Sequence, residues 1–242
     1  MTFSTNTQAN SPQRGSGATQ YQCRTTLNLY DSPTLERLAT QAAAARYLTI
    51  LSPLELSDVA AVEVRLCEDN YPGWISVLDM PQLAVATTPY QPMEFSPAEI
   101  QAKIPAAIAF TQAAMSQPNE YLWGGTVAPN YDCSGLMQAA FASVGVWLPR
   151  DAYQQEAFTQ PLPLTDLQPG DLIFFGPPQK ATHVGLYLGN DQYIHSSGQE
   201  QGHNGIEIDV LSNEGSRISR AYYAQLRGAG RIVKSYQPTS TQ

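Results

Sequence analysis

Short runs in which apolar and polar residues alternate fill residues 23–90. Thr25-Thr26-Leu27-Asn28-Leu29-Tyr30 leads into the turn-forming Asp31-Ser32-Pro33, and residues 46–51, 61–66 and 73–78 repeat the pattern between clusters of Pro, Gly, Ser and Asp. A period of two sends successive side chains to opposite faces of a strand, so this spacing predicts a small β-barrel. The alanine-rich stretch over residues 35–45 predicts a helical insertion between the first strands. Residues 84–95, with Pro89 and Pro92 among small polar side chains, read as a linker. Ser96-Pro97-Ala98-Glu99 then opens a helix: Ser caps it, Pro takes the first position and Glu closes a capping box. Pro105 is expected to kink or interrupt that helix.

The period changes past Gln117. Leu136, Ala140 and Val144, with Met137 and Phe141, recur at helical spacing after Cys133, and Gly145 suits the C-terminal stop. Residues 170–175 read as a strand, residues 183–189 as a second, Asn190-Asp191 as a turn and residues 192–195 as the hairpin partner. Helix first and antiparallel sheet after it give an α+β fold. There is no internal repeat.

Composition narrows this picture. Hydrophobic residues make up 43% and charged ones 14% of the 242 positions, which places the chain among globular proteins. A net charge of −8 argues against nucleic acid or an anionic membrane as partner. Three cysteines, Cys23, Cys67 and Cys133, are too few and too scattered for a disulfide framework, so reduced thiols in a cytoplasmic setting are expected. The first 20 or so residues are polar, rich in Ser, Thr, Gln and Gly, and read as a loose tail without the apolar core of a secretory signal. No apolar run approaches the roughly 20 residues that span a bilayer.

The candidate chemistry centres on Cys133, in Tyr131-Asp132-Cys133-Ser134-Gly135. A thiol at a helix start meets unpaired N–H groups and the positive end of the helix dipole, which favour the nucleophilic thiolate. His183 and His195 fall on the two predicted hairpin strands, where one imidazole can act as base and the other can orient it. A lone buried cysteine is more often a small hydrophobe, and a lone strand histidine is more often a satisfied core residue; the combination favours chemistry. Asp132 suits an N-cap as well as a ligand. Tyr71 is either a turn aromatic packed on Trp74 or a substrate contact. Glu68 and Asp69 are expected in solvent, Cys23 and Cys67 in the core, and His203 in a solvated glycine loop. The Cys–His–His spacing fits no zinc motif, and no metal or other cofactor is expected.

Five short blocks, Tyr121-Leu122-Trp123-Gly124-Gly125, Asp132-Cys133-Ser134-Gly135, Pro169-Gly170-Asp171-Leu172, His183-Val184-Gly185 and Ile194-His195, occur in the order and spacing of the NlpC family of papain-like cell-wall cysteine peptidases. The resemblance covers about residues 96–235. Residues 21–90 resemble a bacterial SH3-like domain, through Leu27-Asn28-Leu29-Tyr30 and Pro72-Gly73-Trp74-Ile75, after a tail over residues 1–20. The pairing resembles a subgroup that cleaves between γ-D-glutamate and a diamino acid in murein peptides with a free L-alanine amine, inside the cell. That resemblance implies Cys133 as nucleophile, His183 as general base and His195 as the orienting residue. It implies Asp132 and Ser134 in the cleft beside the thiol, Asp151 at the dipeptide's amino end, and Tyr71 reaching over the cleft from the first domain. A murein-derived peptide is the expected partner, with no nucleic acid, no membrane and no obligate protein partner expected. A non-catalytic wall-peptide-binding protein and an acyltransferase or amidase are the competing classes.

Overall fold

The computed structural model of the chain describes residues 18–51 and 60–238; residues 1–17 of the expected tail lie outside it. Seven short strands come first: β1 (Gln20–Cys23), β2 (Leu27–Tyr30), β3 (Leu38–Ala42), β4 (Tyr47–Ile50), β5 (Ala61–Leu66), β6 (Pro72–Ser76) and β7 (Leu83–Val85). They form one antiparallel sheet in the order β3-β2-β6-β5-β4-β1-β7. The positions that alternation assigns to the inside are buried: Leu27 and Leu29 on β2, Val62, Val64 and Leu66 on β5, Ile75 on β6. Each such side chain contributes about 1.5–3 kcal/mol by leaving water.

Residues 35–45 do not form the expected helix. Leu38–Ala42 is a strand, with Thr40 opposite Leu29 and Ala42 opposite Leu27, and both residues buried. Alanine's helix propensity is a fraction of a kcal/mol per residue, and the burial gained by pairing with β2 overrides it. Glu68 and Asp69 are not in solvent either. Arg46 lies between them, with Nε 3.2 Å from Glu68 and an Nη 3.0 Å from Asp69, and all three are buried. Of the two other cysteines, Cys23 is buried and Cys67 half-buried.

Residues 86–96 carry neither helix nor strand, and α1 (Pro97–Met115) follows with the expected capping box, Ser96 N–H donating to Glu99 at 2.7 Å. Pro105 does not interrupt it. One missing backbone bond is outweighed by the packed stripe of Ile100, Ile104 and Ala107. A short hairpin of β8 (Thr126–Val127) and β9 (Asn130–Tyr131) precedes α2 (Cys133–Ala142) and α3 (Ala152–Phe158). The remaining elements are β10 (Gln160–Leu162), β11 (Leu172–Phe175), β12 (His183–Gly189), β13 (Gln192–Ser197), β14 (Gly205–Val210), α4 (Arg217–Tyr223) and β15 (Leu226–Arg231). The strands β10 to β15 form a second antiparallel sheet in the order β10-β15-β11-β12-β13-β14. Asn190 and Asp191, at φ of 52° and 57°, make the tight β12–β13 turn that the sequence predicts.

Both faces of this sheet are covered. Leu172, Phe174, Val184, Leu186 and Ile194 pack with α1 and α2, whereas Ile173, Phe175, Tyr187 and Tyr193 pack with Tyr222 of α4. That is why β11 reads as a continuous apolar run. Helices on an antiparallel sheet, after a strand-rich N-terminal region, make the chain α+β. Among the described residues no helix is long and apolar enough to cross a membrane.

The two parts are stitched by polar contacts. The Gln41 side-chain oxygen accepts from the N–H groups of Thr126 and Val127, at 3.1 and 3.3 Å, and Gln138 donates to Asp69 at 2.8 Å. One glycine governs where α2 starts: a Cβ on Gly135 would lie 2.0 Å from the Gly125 carbonyl oxygen. Gly135→Ala is therefore expected to lower unfolding stability by about 1–3 kcal/mol, measured by denaturant titration. A change under about 0.5 kcal/mol would show that this contact is not a constraint.

Candidate active site

Helix α2 begins at Cys133 because Asp132 caps it, its Oδ1 accepting from Gly135 N–H at 2.7 Å. The same carboxylate accepts from Gly124 N–H at 2.9 Å and takes a two-pronged bond from Arg150, at 3.1 and 2.6 Å. Ser134 donates to Asp132 and accepts from Arg150. Of the two roles the sequence left open for Asp132, the structure gives it the cap. Its oxygens are occupied, although it and Ser134 border the cleft.

That cleft, about 520 Å³ in volume, runs along the seam between the two parts; Tyr71, Tyr121, Cys133, Asp151, Tyr153 and Lys180 are among its walls. Tyr71 reaches from the first sheet and its hydroxyl donates to Asp151 at 3.4 Å. Burial, and after it the Asp151 charge, push the Tyr71 phenol well above its ordinary value and keep it a donor. Burial likewise raises the Asp151 carboxyl, against the pull of Arg150.

His183 and His195 are joined. In the antiparallel register Leu186 stands opposite Ile194, so His195 lies beside Gly185, one step along the strand from the last of the apolar pairs. A Cβ on Gly185 would come within 2.6 Å of the Tyr193 ring and 3.3 Å of the His195 Cβ, so only glycine leaves the space. The His183 ring then meets the His195 ring directly, Nε2 to Nδ1, at 2.7 Å. Tyr222 stacks on His183 with centroids 4.4 Å apart. His183 Nδ1 is the ring nitrogen left over, without a hydrogen bond among the described residues. The Cys133 sulfur lies against the N–H groups of Val184, the residue after His183, and of Ser134.

The electrostatics depart from the expected resting thiolate. Burial, then the Asp132 charge, push the Cys133 thiol up to about 12, outweighing the two N–H groups. Burial, then His195, hold His183 well below the ordinary imidazole value, and burial also lowers His195. A desolvated charge costs more than a helix start returns. Both shifts favour a neutral thiol and a neutral imidazole at rest.

Sequence reasoning passed over Arg150 and Asp209 and gave Tyr121 and His203 no part in the site. Tyr121 was visible in its Tyr-Leu-Trp-Gly-Gly block; burial, then Cys133, raise its phenol. Arg150 sat unremarked beside Asp151. His203 is not a solvated loop residue: its Nε2 is 2.8 Å from Asp209, which also bonds His195 at 3.0 Å. His195, His203 and Asp209 each bring one ligand atom within 4.8 Å of the others, a spacing that would suit a metal. Both rings stand at hydrogen-bond length from Asp209, and the lowered His195 value makes the His195–Asp209 contact a neutral-to-anion bond.

Known proteins resemble this chain in both of its parts. The NlpC/P60 family profile matches residues 118–225, and the profile described as a bacterial dipeptidyl-peptidase Sh3 domain matches residues 29–79. A Corynebacterium glutamicum protein named "Probable endopeptidase" is 36% identical over 146 residues, covering 57% of this chain and 67% of its own. "Probable endopeptidase p60" of Listeria seeligeri is 38% identical over 95 residues, 39% of this chain, which spans only 17% of that relative's length. A solved NlpC/P60 family protein from Bacillus cereus aligns over 89% of this chain and 64% of its own, with 24% identity and a TM-score of 0.48. With the Corynebacterium relative matched over two thirds of its length, and the thiol, the paired imidazoles and the capped helix all inside the matched region, the chain belongs to the NlpC/P60 family.

Proposed function

We propose that the protein is a cysteine endopeptidase that hydrolyses the γ-D-glutamyl–diamino acid bond of murein peptides, acting on free L-Ala-γ-D-Glu-diaminopimelate peptides in wall recycling. The observation that carries this reading is that Cys133 shares one cleft with Tyr71 and Asp151, while its sulfur lies against the N–H of Val184, the neighbour of His183, whose ring bonds His195. The thiols are all free, which suits a reducing, cytoplasmic setting for turnover of released peptides.

The chemistry starts from the neutral pair. As the Cys133 sulfur attacks the γ-carbonyl carbon, its proton passes to His183 Nδ1, so no solvated thiolate has to form; forming one would cost several kcal/mol at neutral pH. The oxyanion is met by N–H groups that open α2, donors worth roughly 3–4 kcal/mol each in such sites. The C–N bond breaks and the His183 proton goes to the leaving amine. Water then attacks the thioester, gives a proton to His183, and the C–S bond breaks with return of that proton to sulfur. The sulfur and Nδ1 close to bonding distance in the substrate complex, as acid–base partners commonly do.

Specificity follows from Asp151. A free ammonium at the dipeptide's amino end pairs with the half-buried carboxylate, whereas an acylated amine leaves it unpaired. Hydrolysis of the free tripeptide is expected to exceed that of its N-acetylated form by roughly 100-fold or more in kcat/KM, with Asp151→Asn narrowing the gap. Cys133→Ala is expected to remove turnover of both. Equal rates on both peptides would eliminate the amine requirement; turnover surviving Cys133→Ala would eliminate the thiol.

The pH profile separates this neutral pair from a thiolate–imidazolium pair. His183 must be unprotonated to accept the proton, and its depressed value puts the acid limb of kcat/KM below pH 6.5. The thiol stays protonated far into alkali, so the rate is expected to hold level from about pH 7 to about pH 9. Loss of activity within that interval would contradict it.

A further inference from the structure

His183, His195 and Asp209 lie on three successive strands of the second sheet, β12, β13 and β14, and bond to one another in that order. His195 pairs with Glu207 and Tyr193 with Asp209, so Asp209 sits diagonally across from His195 on the face covered by α4. Asp209 is 5% exposed and both of its oxygens are engaged. Oδ2 takes the ring nitrogens of His195 and His203, at 3.0 and 2.8 Å. Oδ1 takes the hydroxyls of Ser219 and Ser216, at 3.0 and 3.4 Å, from the first turn of α4 and the residue that caps it.

We propose that Asp209 is a positioning residue that sets the tautomers of both histidines, and so decides which nitrogen of His183 is the base. This rests on the reading of Cys133 as nucleophile and His183 as its partner. A carboxylate with four donors around it can only accept, so His195 carries its proton on Nε2. A neutral imidazole has one N–H, which leaves His195 Nδ1 as a bare acceptor. The 2.7 Å bond to His183 then needs its proton from the other ring, on Nε2. His183 Nδ1 is left unprotonated, and it is the nitrogen free to take the thiol proton. Each assignment forces the next. Without the carboxylate, the opposite tautomers satisfy the same two-ring bond and put a proton on Nδ1, where the base must be empty.

The arrangement also helps once the proton has moved. The His183 imidazolium then donates to His195, which donates to Asp209, so a positive charge faces a negative one through an aligned chain. Burial works to raise the Asp209 carboxyl, yet the bonds from His195 and His203 outweigh it and hold it well below the usual carboxylate range. The other ionisable groups around this chain are Glu207, opposite His195, and the phenols of Tyr193 and Tyr222, which burial keeps neutral. His203 sits on the outer side of Asp209, 20% exposed, and blocks Oδ2 from bulk water.

The test is imidazole ¹⁵N nuclear magnetic resonance on the full chain near neutral pH, with kinetics alongside. In the native protein His183 and His195 are both expected to be protonated on Nε2. A proton on Nδ1 of His195 overturns the proposal, and this observation needs no substrate, so it stands or falls apart from the peptidase reading. Asp209→Asn is expected to move the His183 proton to Nδ1 in a measurable fraction of molecules and to lower kcat by roughly 100-fold or more with KM little changed. Ser219→Ala, which removes one hydroxyl and leaves the carboxylate, is expected to keep the native tautomers. A drop in kcat for Asp209→Asn with both tautomers unchanged would assign Asp209 a merely structural part.

Discussion

One buried ion pair holds the site together. The Arg150 guanidinium, 1% exposed, donates to both oxygens of Asp132 and, through Nε, to Thr40 of the first sheet at 2.8 Å. Asp132 in turn caps the helix that starts with Cys133 and fixes the Gly124 N–H. Three segments far apart in sequence therefore meet on two side chains. Such a pair adds little net stability, because taking both charges out of water costs about what their attraction returns. Its value is positional. Either charge alone would be strongly unfavourable there, so the pair forms only when the first sheet, the loop before α2 and the segment before α3 are all in register.

The same water exclusion that makes the pair exacting sets the chemistry beside it. Cys133, His183 and His195 are buried, and each is pushed toward its neutral form. Asp209 stays ionised because four donors surround it, and Arg150 because Asp132 faces it. Asp209, Asp132 and Arg150 thus hold well-bonded charge at the margins of the three neutral reactive groups. Acylation by concerted proton transfer is the chemistry that such a layout suits.

Much of this was legible in the sequence wherever the signal was local. The Ser96–Glu99 capping box, the Asn190–Asp191 turn with its two positive φ values, and the alternation of β2 and β5 each carry their cause within a few residues. Cys133 and the two histidines could be singled out because a helix start and a hairpin bring them together at predictable ends. The failures share the opposite property. Glu68 and Asp69 look like surface acids until Arg46, 22 and 23 positions back, is placed between them. His203 looks solvated until β14 brings Asp209 to it. The stretch over residues 35–45 favours a helix by its alanines, but Leu38–Ala42 becomes a strand once β2 offers an apolar partner, and Ala43–Ala45 only turn the chain. The thiol's ionisation was misjudged because a helix start can be read from sequence and the depth of burial cannot.

The central claim is that Arg150 and Asp132 act as one unit in building the cleft. A double-mutant cycle on Arg150→Met and Asp132→Asn, read by unfolding free energy and by kcat/KM, tests it most directly. The account predicts strong non-additivity: each single substitution costs nearly as much as both together, with a coupling above about 1 kcal/mol. Effects that add to within about 0.5 kcal/mol would show two independent side chains and contradict the account.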